Sequence, residues 1–174
     1  MIQILGLRPY KCPKTGKTKL AEKFFEKKWR AKSVSDLFEN LEHYLSKIPK
    51  EEHYNLFFTA CECLEETGRK FKSQNIIPFD IDGMDMDKAG EYMKPILSAI
   101  TGDSDVSGIT VVNSGNGLHF YIELEESFTD IKFFDANASA YKQICIKINN
   151  LLDKYNLSGS ADPVVWRPGL MRLP

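Results

Sequence analysis

The apolar stripe within residues 134–155 constrains this chain more than any other feature. Phe134, Ala138, Tyr141, Cys145, Ile148 and Leu152 recur at helical spacing, which puts them on one face of a single long helix. Such a helix is stable only when that face is buried against another element. The partners are short runs of strand length at 54–60, 76–82, 108–113 and 118–124. The last two flank Ser114-Gly115-Asn116-Gly117, whose glycines permit a tight turn, so they read as a β-hairpin. Ser33 caps a predicted helix over 33–48 that carries Leu37, Phe38, Leu41, Leu45 and Ile48 and is followed by Pro49. A further helix is predicted over 85–100, with Gly90 and Pro95 as its weak points. The tail, 158–174, reads as loop and short strand. This order of elements predicts an α+β domain with a central mixed or antiparallel sheet covered by helices.

A length of 174 residues fits one domain. Apolar residues at 43% and charged residues at 27% exclude a largely disordered or fibrous chain. No apolar run approaches the ~20 residues that a membrane span needs. The start, Met1-Ile2-Gln3-Ile4-Leu5-Gly6, lacks the features of a secretory signal. The expectation is a cytoplasmic protein with no membrane partner. Cys61-Glu62-Cys63 is spaced too closely for a zinc ribbon, and Cys12 and Cys145 do not complete one, so neither structural zinc nor a disulfide framework is expected.

The net charge of -1 conceals an asymmetry. Residues 1–32 carry a surplus of eight positive charges and the rest a surplus of nine negative ones. A basic lobe suits phosphates and an acidic body suits a cation, while the bland alternative is a solvated Lys-rich arm.

Three local features carry chemistry. Asp80 and Asp82, in Pro78-Phe79-Asp80-Ile81-Asp82-Gly83, share one face of a strand at a separation of ~6.5 Å. Two carboxylates on an apolar strand repel each other and are costly to bury unless a cation neutralises them, and oxygen ligands suit Mg²⁺ or Mn²⁺. Next, Ser114-Gly115-Asn116-Gly117-Leu118-His119 supplies turn amides able to approach an anion, then a histidine that shares its strand face with Tyr121. That placement puts the partner of His119 across the sheet. Finally, Asp162 precedes Pro163, and Arg172 follows ten residues later in Arg172-Leu173-Pro174. A lone Asp before Pro is ordinarily a turn residue, but a two-metal phosphoryl-transfer site needs a third carboxylate.

Taken in order, Asp80-Ile81-Asp82, Ser114-Gly115-Asn116-Gly117-Leu118-His119 and Asp162 resemble the motifs of the archaeo-eukaryotic primase superfamily, the primase-polymerases. Arg172-Leu173-Pro174 is similar to the start of the Arg-x-Pro-Gly segment of its virus- and plasmid-borne branch. The resemblance runs from about residue 55 to residue 174. It implies an RRM-like catalytic module and template-directed nucleotidyl transfer, as a DNA primase or polymerase, in the replication of a virus or plasmid. Asp80, Asp82 and Asp162 would hold Mg²⁺ or Mn²⁺. Ser114, Gly115, Gly117, His119 and Arg172 would contact the incoming dNTP or NTP. DNA template and primer are the implied partners. Because the Arg-x-Pro-Gly segment breaks off at Pro174, the resemblance implies the N-terminal part of a longer protein, with a helicase as a C-terminal or separate partner.

Within that frame, 1–174 is one catalytic domain, with a basic arm and helix in 1–50 and the catalytic core in 51–174. Lys23, Lys27, Lys28 and Arg30 are the expected contacts to a nucleic-acid backbone.

Two other readings compete. Asp80-Ile81-Asp82-Gly83 is also similar to the haloacid-dehalogenase phosphatase loop, but Met84 stands where that family carries Thr or Val, and Asp103-Ser104-Asp105 comes too soon for its acidic pair. A non-catalytic module binding single-stranded nucleic acid would stack bases on Phe57, Phe58, Phe120 and Tyr121. Lys14-Thr15-Gly16-Lys17-Thr18 fails as a P-loop, since Lys11 stands where the first glycine is required. His43, His53 and His119 are too scattered for a replication-initiator nuclease.

Overall fold

The computed structural model describes residues 2–11, 13–15, 18–22, 30–46, 55–59, 61–63, 71–102, 108–163 and 170–172. It is an α+β protein in which every described strand pairing is antiparallel. One sheet has the order β10 (Leu170–Arg172), β4 (Asn55–Thr59), β1 (Ile2–Lys11), β2 (Thr18–Glu22), with β3 (Arg30–Ala31) also on β1. The other has the order β5 (Glu62–Cys63), β6 (Phe71–Asp82), β8 (Gly117–Phe128), β7 (Gly108–Asn113), with β9 (Ser160–Ala161) also on β6. The single central sheet expected from the sequence is therefore two. The segment assigned to a basic arm begins with β1, which pairs with β4 and stands inside the first sheet.

The predicted helix over 33–48 is two short ones, α1 (Val34–Glu39) and α2 (Leu41–Ser46). Ser33 caps the first, its hydroxyl accepting from the Asp36 amide at 3.0 Å. Asn40 breaks the run. Its side-chain amide donates to the Asp36 carbonyl and carboxylate at 2.9 and 3.1 Å, which offers the backbone an alternative to the next helical turn.

After β6 a single 3₁₀ turn, Met86–Lys88, leads into α3 (Ala89–Thr101), which tolerates Pro95 because Tyr92, Ile96 and Ala99 are buried. The long stripe forms α4 (Lys132–Lys154) as its periodicity requires, burying Phe134, Tyr141, Cys145, Ile148 and Leu152. Its end is set by Asn156, at φ 54, with the Leu157 amide returning to the Leu152 carbonyl at 2.9 Å. No helix among the described residues is long and apolar enough to cross a membrane.

Two apolar cores divide the work. Phe79, Ile81, Leu118, Phe120 and Ile122 face α3 and α4 in the larger. On the opposite face of the same strands, Ile76, Val112 and Tyr121 pack with Phe58, Ala31, Val34 and Leu37. Glu123 on β8 accepts from the Val34 amide at 3.2 Å and ties this second core to the start of α1. Beyond its margin, towards the end of β6, that face turns polar.

Candidate active site

Strand register assembles the site. Asp80 stands opposite His119, and Asp82 opposite Gly117. On the other side of β6, Ile81 pairs with Ala161 and Asp82 with Ser160. The Asp162 amide then donates to the Asp80 carbonyl at 2.8 Å, so the register continues and sets Asp162 opposite Asp80. Asp162, Asp80 and His119 thus form one row across three chain segments, with Asp82 one step further along β6.

Asp80 is the most constrained of the acids. Its Oδ1 lies 3.2 Å from His119 Nε2, and the two side chains are only 20% and 10% exposed. The contact has ion-pair distance but not hydrogen-bond direction, because Oδ1 is buried and accepts no hydrogen bond. A buried carboxylate oxygen without a donor is costly, and a cation would relieve it. The other ring nitrogen, His119 Nδ1, is 3.1 Å from the Tyr121 hydroxyl. Tyr121 is fully buried, with Phe58 edge-on at 5.2 Å and Phe38 at 6.3 Å. Burial, then the negative charge of Asp80, pushes its phenol well above the ordinary range, so it keeps its proton.

Asp82 is exposed, and its Oδ1 accepts from the Asn116 side-chain amide at 3.3 Å. The Asn116 carbonyl also accepts from the Gly83 and Met84 amides at 2.8 and 3.2 Å, which clamps the hairpin turn onto the end of β6. Gly117 makes this approach possible, because a Cβ there would collide with the Ile81 carbonyl. Gly115, at φ 86, occupies the left-handed position of a two-residue turn closed by the Ser114 amide on the Gly117 carbonyl at 3.0 Å. The Ser114 hydroxyl donates to the same carbonyl at 3.2 Å, and the Gly115 amide to Asn113 Oδ1 at 2.8 Å. These Ser114 and Gly115 donors are engaged within the turn, and His119 from the same motif faces Asp80.

Asp162 is exposed at the sheet edge. Its charge also reaches the helical side: burial and then Cys145 raise the Tyr141 phenol, with Asp162 adding to the rise, and the Cys145 thiol is pushed up to about 11 by burial first. Tyr141 donates to the Pro78 carbonyl at 2.7 Å, and Asn149 accepts from the Ala161 amide at 2.8 Å. Together these bonds hold the edge of β6 and the short β9 that carries Asp162.

The remaining expected contacts lie elsewhere. The Arg172 backbone pairs with Phe57 in the first sheet, and its side chain is outside the described residues. Arg30 stands opposite Gln3 on β3, while Lys23, Lys27 and Lys28 lie outside the described residues. An open cleft of about 530 Å³ between α3 and α4, lined by Glu91, Lys94, Ser98 and Tyr155 among others, contains none of the site residues. Asn116 and Tyr121, which hydrogen-bond Asp82 and His119, were not singled out for those contacts by the sequence. The only signals were their places in the turn and on the same strand face.

Among the described residues, no three His, Cys, Asp or Glu side chains are gathered around a point that a metal ion could occupy. The chemistry of the donor set fits a hard divalent cation: its atoms are carboxylate oxygens, one of them buried without a hydrogen bond and the others on exposed side chains. No protein-family model matches the chain, and no curated protein matches it.

Proposed function

We propose that this protein is the catalytic core of a primase-polymerase that transfers a nucleotide to a primer 3′-hydroxyl under direction of a DNA template, releasing pyrophosphate. The observation that carries this reading is the row Asp162–Asp80–His119, with Asp82 beside it, on one sheet face. It supports the order of motifs in the sequence, and the RRM-like module is the finer fold reading that accompanies it.

Mg²⁺ or Mn²⁺ held by Asp80, Asp82 and Asp162 would neutralise the triphosphate and lower the pKa of the attacking hydroxyl. The chain's own groups do the positioning. His119 presents one ring N–H to a phosphate oxygen, Asn116 orients Asp82, and the β6–β8 ladder keeps the acids fixed while charge builds up. Lys23, Lys27, Lys28, Arg30 and Arg172 contribute positive charge for template, primer and phosphates under the same reading.

Of the four aromatics of the alternative stacking module, Phe58, Phe120 and Tyr121 are fully buried and present no ring face to a base, while the Phe57 side chain lies outside the described residues.

The test is extension of a labelled, primed template with dNTPs or NTPs in Mg²⁺ or Mn²⁺. Template-directed products from the wild type, absent from an Asp80→Asn/Asp82→Asn variant, are expected. Equal extension by both proteins, or none by either, overturns the reading.

A further inference from the structure

We propose that Tyr121 is a positioning residue that fixes His119 as the Nε2–H tautomer, so that one N–H donor faces the acidic cleft; its role towards a triphosphate rests on the function proposed above. The argument starts from which atoms can donate. Nε2 lies 3.2 Å from Asp80 Oδ1, and although the contact lacks hydrogen-bond direction, the nearby carboxylate oxygen disfavours a lone pair on Nε2 and favours a proton there. In the neutral ring Nδ1 is then an acceptor, and the Tyr121 hydroxyl 3.1 Å away is its donor. That hydroxyl is fully buried within an aromatic cluster where a phenyl ring would pack equally well against Phe58 and Phe38. A buried hydroxyl is costly unless it is bonded, and its bond here is to His119. The hydroxyl therefore serves the imidazole rather than the core. With Tyr121 present, moving the ring proton to Nδ1 turns the buried Tyr121 hydroxyl from donor to acceptor and sets a lone pair towards Asp80. Without it, the Asp80 charge alone opposes the Nδ1–H form, whose lone pair would point at the acids and at any phosphate oxygen.

The experiment is long-range ¹H–¹⁵N correlation on metal-free protein labelled with ¹⁵N-histidine, with His119 assigned by its loss in His119→Gln. The wild type is expected to show the Nε2–H pattern, and Tyr121→Phe a mixed or Nδ1–H pattern. In steady-state extension, Tyr121→Phe is expected to raise the nucleotide KM about five- to tenfold while kcat changes by less than about twofold, the signature of lost binding. A wild-type His119 in the Nδ1–H form overturns the proposal, and needs no variant to fold. So does an unchanged Nε2–H pattern in Tyr121→Phe. If the tautomer depends on Tyr121 but the wild type uses no nucleotide, the nucleotidyl-transfer reading fails and the positioning role stands.

Discussion

The two faces of the β6–β8 sheet are built from alternate residues of the same strands and do opposite things. Phe79, Ile81, Leu118 and Phe120 point under α3 and α4 and are sealed. Asp80, Asp82 and His119, each one residue out of phase, point the other way. Close packing stabilises the first face, whereas the second holds repelling carboxylates, one with a buried oxygen that accepts no hydrogen bond. Stability and proposed chemistry are thus separated by the two-residue period of a strand, so substitutions a single position apart should have unlike effects.

The largest effect is expected where the two faces share a backbone. Gly117→Ala drives a methyl group into the Ile81 carbonyl and should cost about 3 kcal/mol or more, enough to prevent recovery of folded protein. A urea midpoint within error of wild type would mean that the turn does not sit so tightly on β6. Next comes the sealed face. Phe120→Ala should cost about 3–5 kcal/mol, yet leave metal and nucleotide affinity per folded molecule unchanged. The polar face reverses that pattern. Asp80→Asn/Asp82→Asn should hold or raise the metal-free melting temperature, by up to about 3 °C, while abolishing extension. A strongly destabilised double variant would show that the acids serve the fold.

A smaller effect marks the helical side. Cys145 is pushed up to about 11 from an ordinary 9 by burial, so the unfolded chain gives up its proton first as pH rises. Its contribution is complete below pH 9 and is lost progressively towards about 11. Thermal melts from pH 8 to 11 should fall in this window, and Cys145→Ala should flatten the fall. The smallest effect is expected at Asn116→Ala, which frees Asp82 and should raise the metal concentration for half-maximal extension by about two- to fivefold.

What the sequence disclosed follows from how local each signal is. The α4 stripe, the Ser33 cap, the hairpin turn and the strand containing Asp80 and Asp82 are encoded within a few residues, and all appear in the structure. The break at Asn40 depends on one side chain competing with the helix backbone, which a periodicity of apolar residues does not register. The second sheet was hidden because β1 pairs with β4 and β10 across long stretches of chain. At the site, the strand face shared with Tyr121 set the expected partner of His119 across the sheet; Asp80 stands there, while the ring's hydrogen bond is to Tyr121 on its own strand. The nearness of Asp162 to Asp80 rests on a two-residue strand anchored by Asn149, a contact with no local signature.

The most direct test of the polar face is Mn²⁺ binding followed by electron paramagnetic resonance, with and without dTTP, in the wild type and in Asp80→Asn/Asp82→Asn. The account predicts that the wild type binds Mn²⁺ with nucleotide and that the folded double variant does not. Equal binding by both, or none by the wild type, would contradict it.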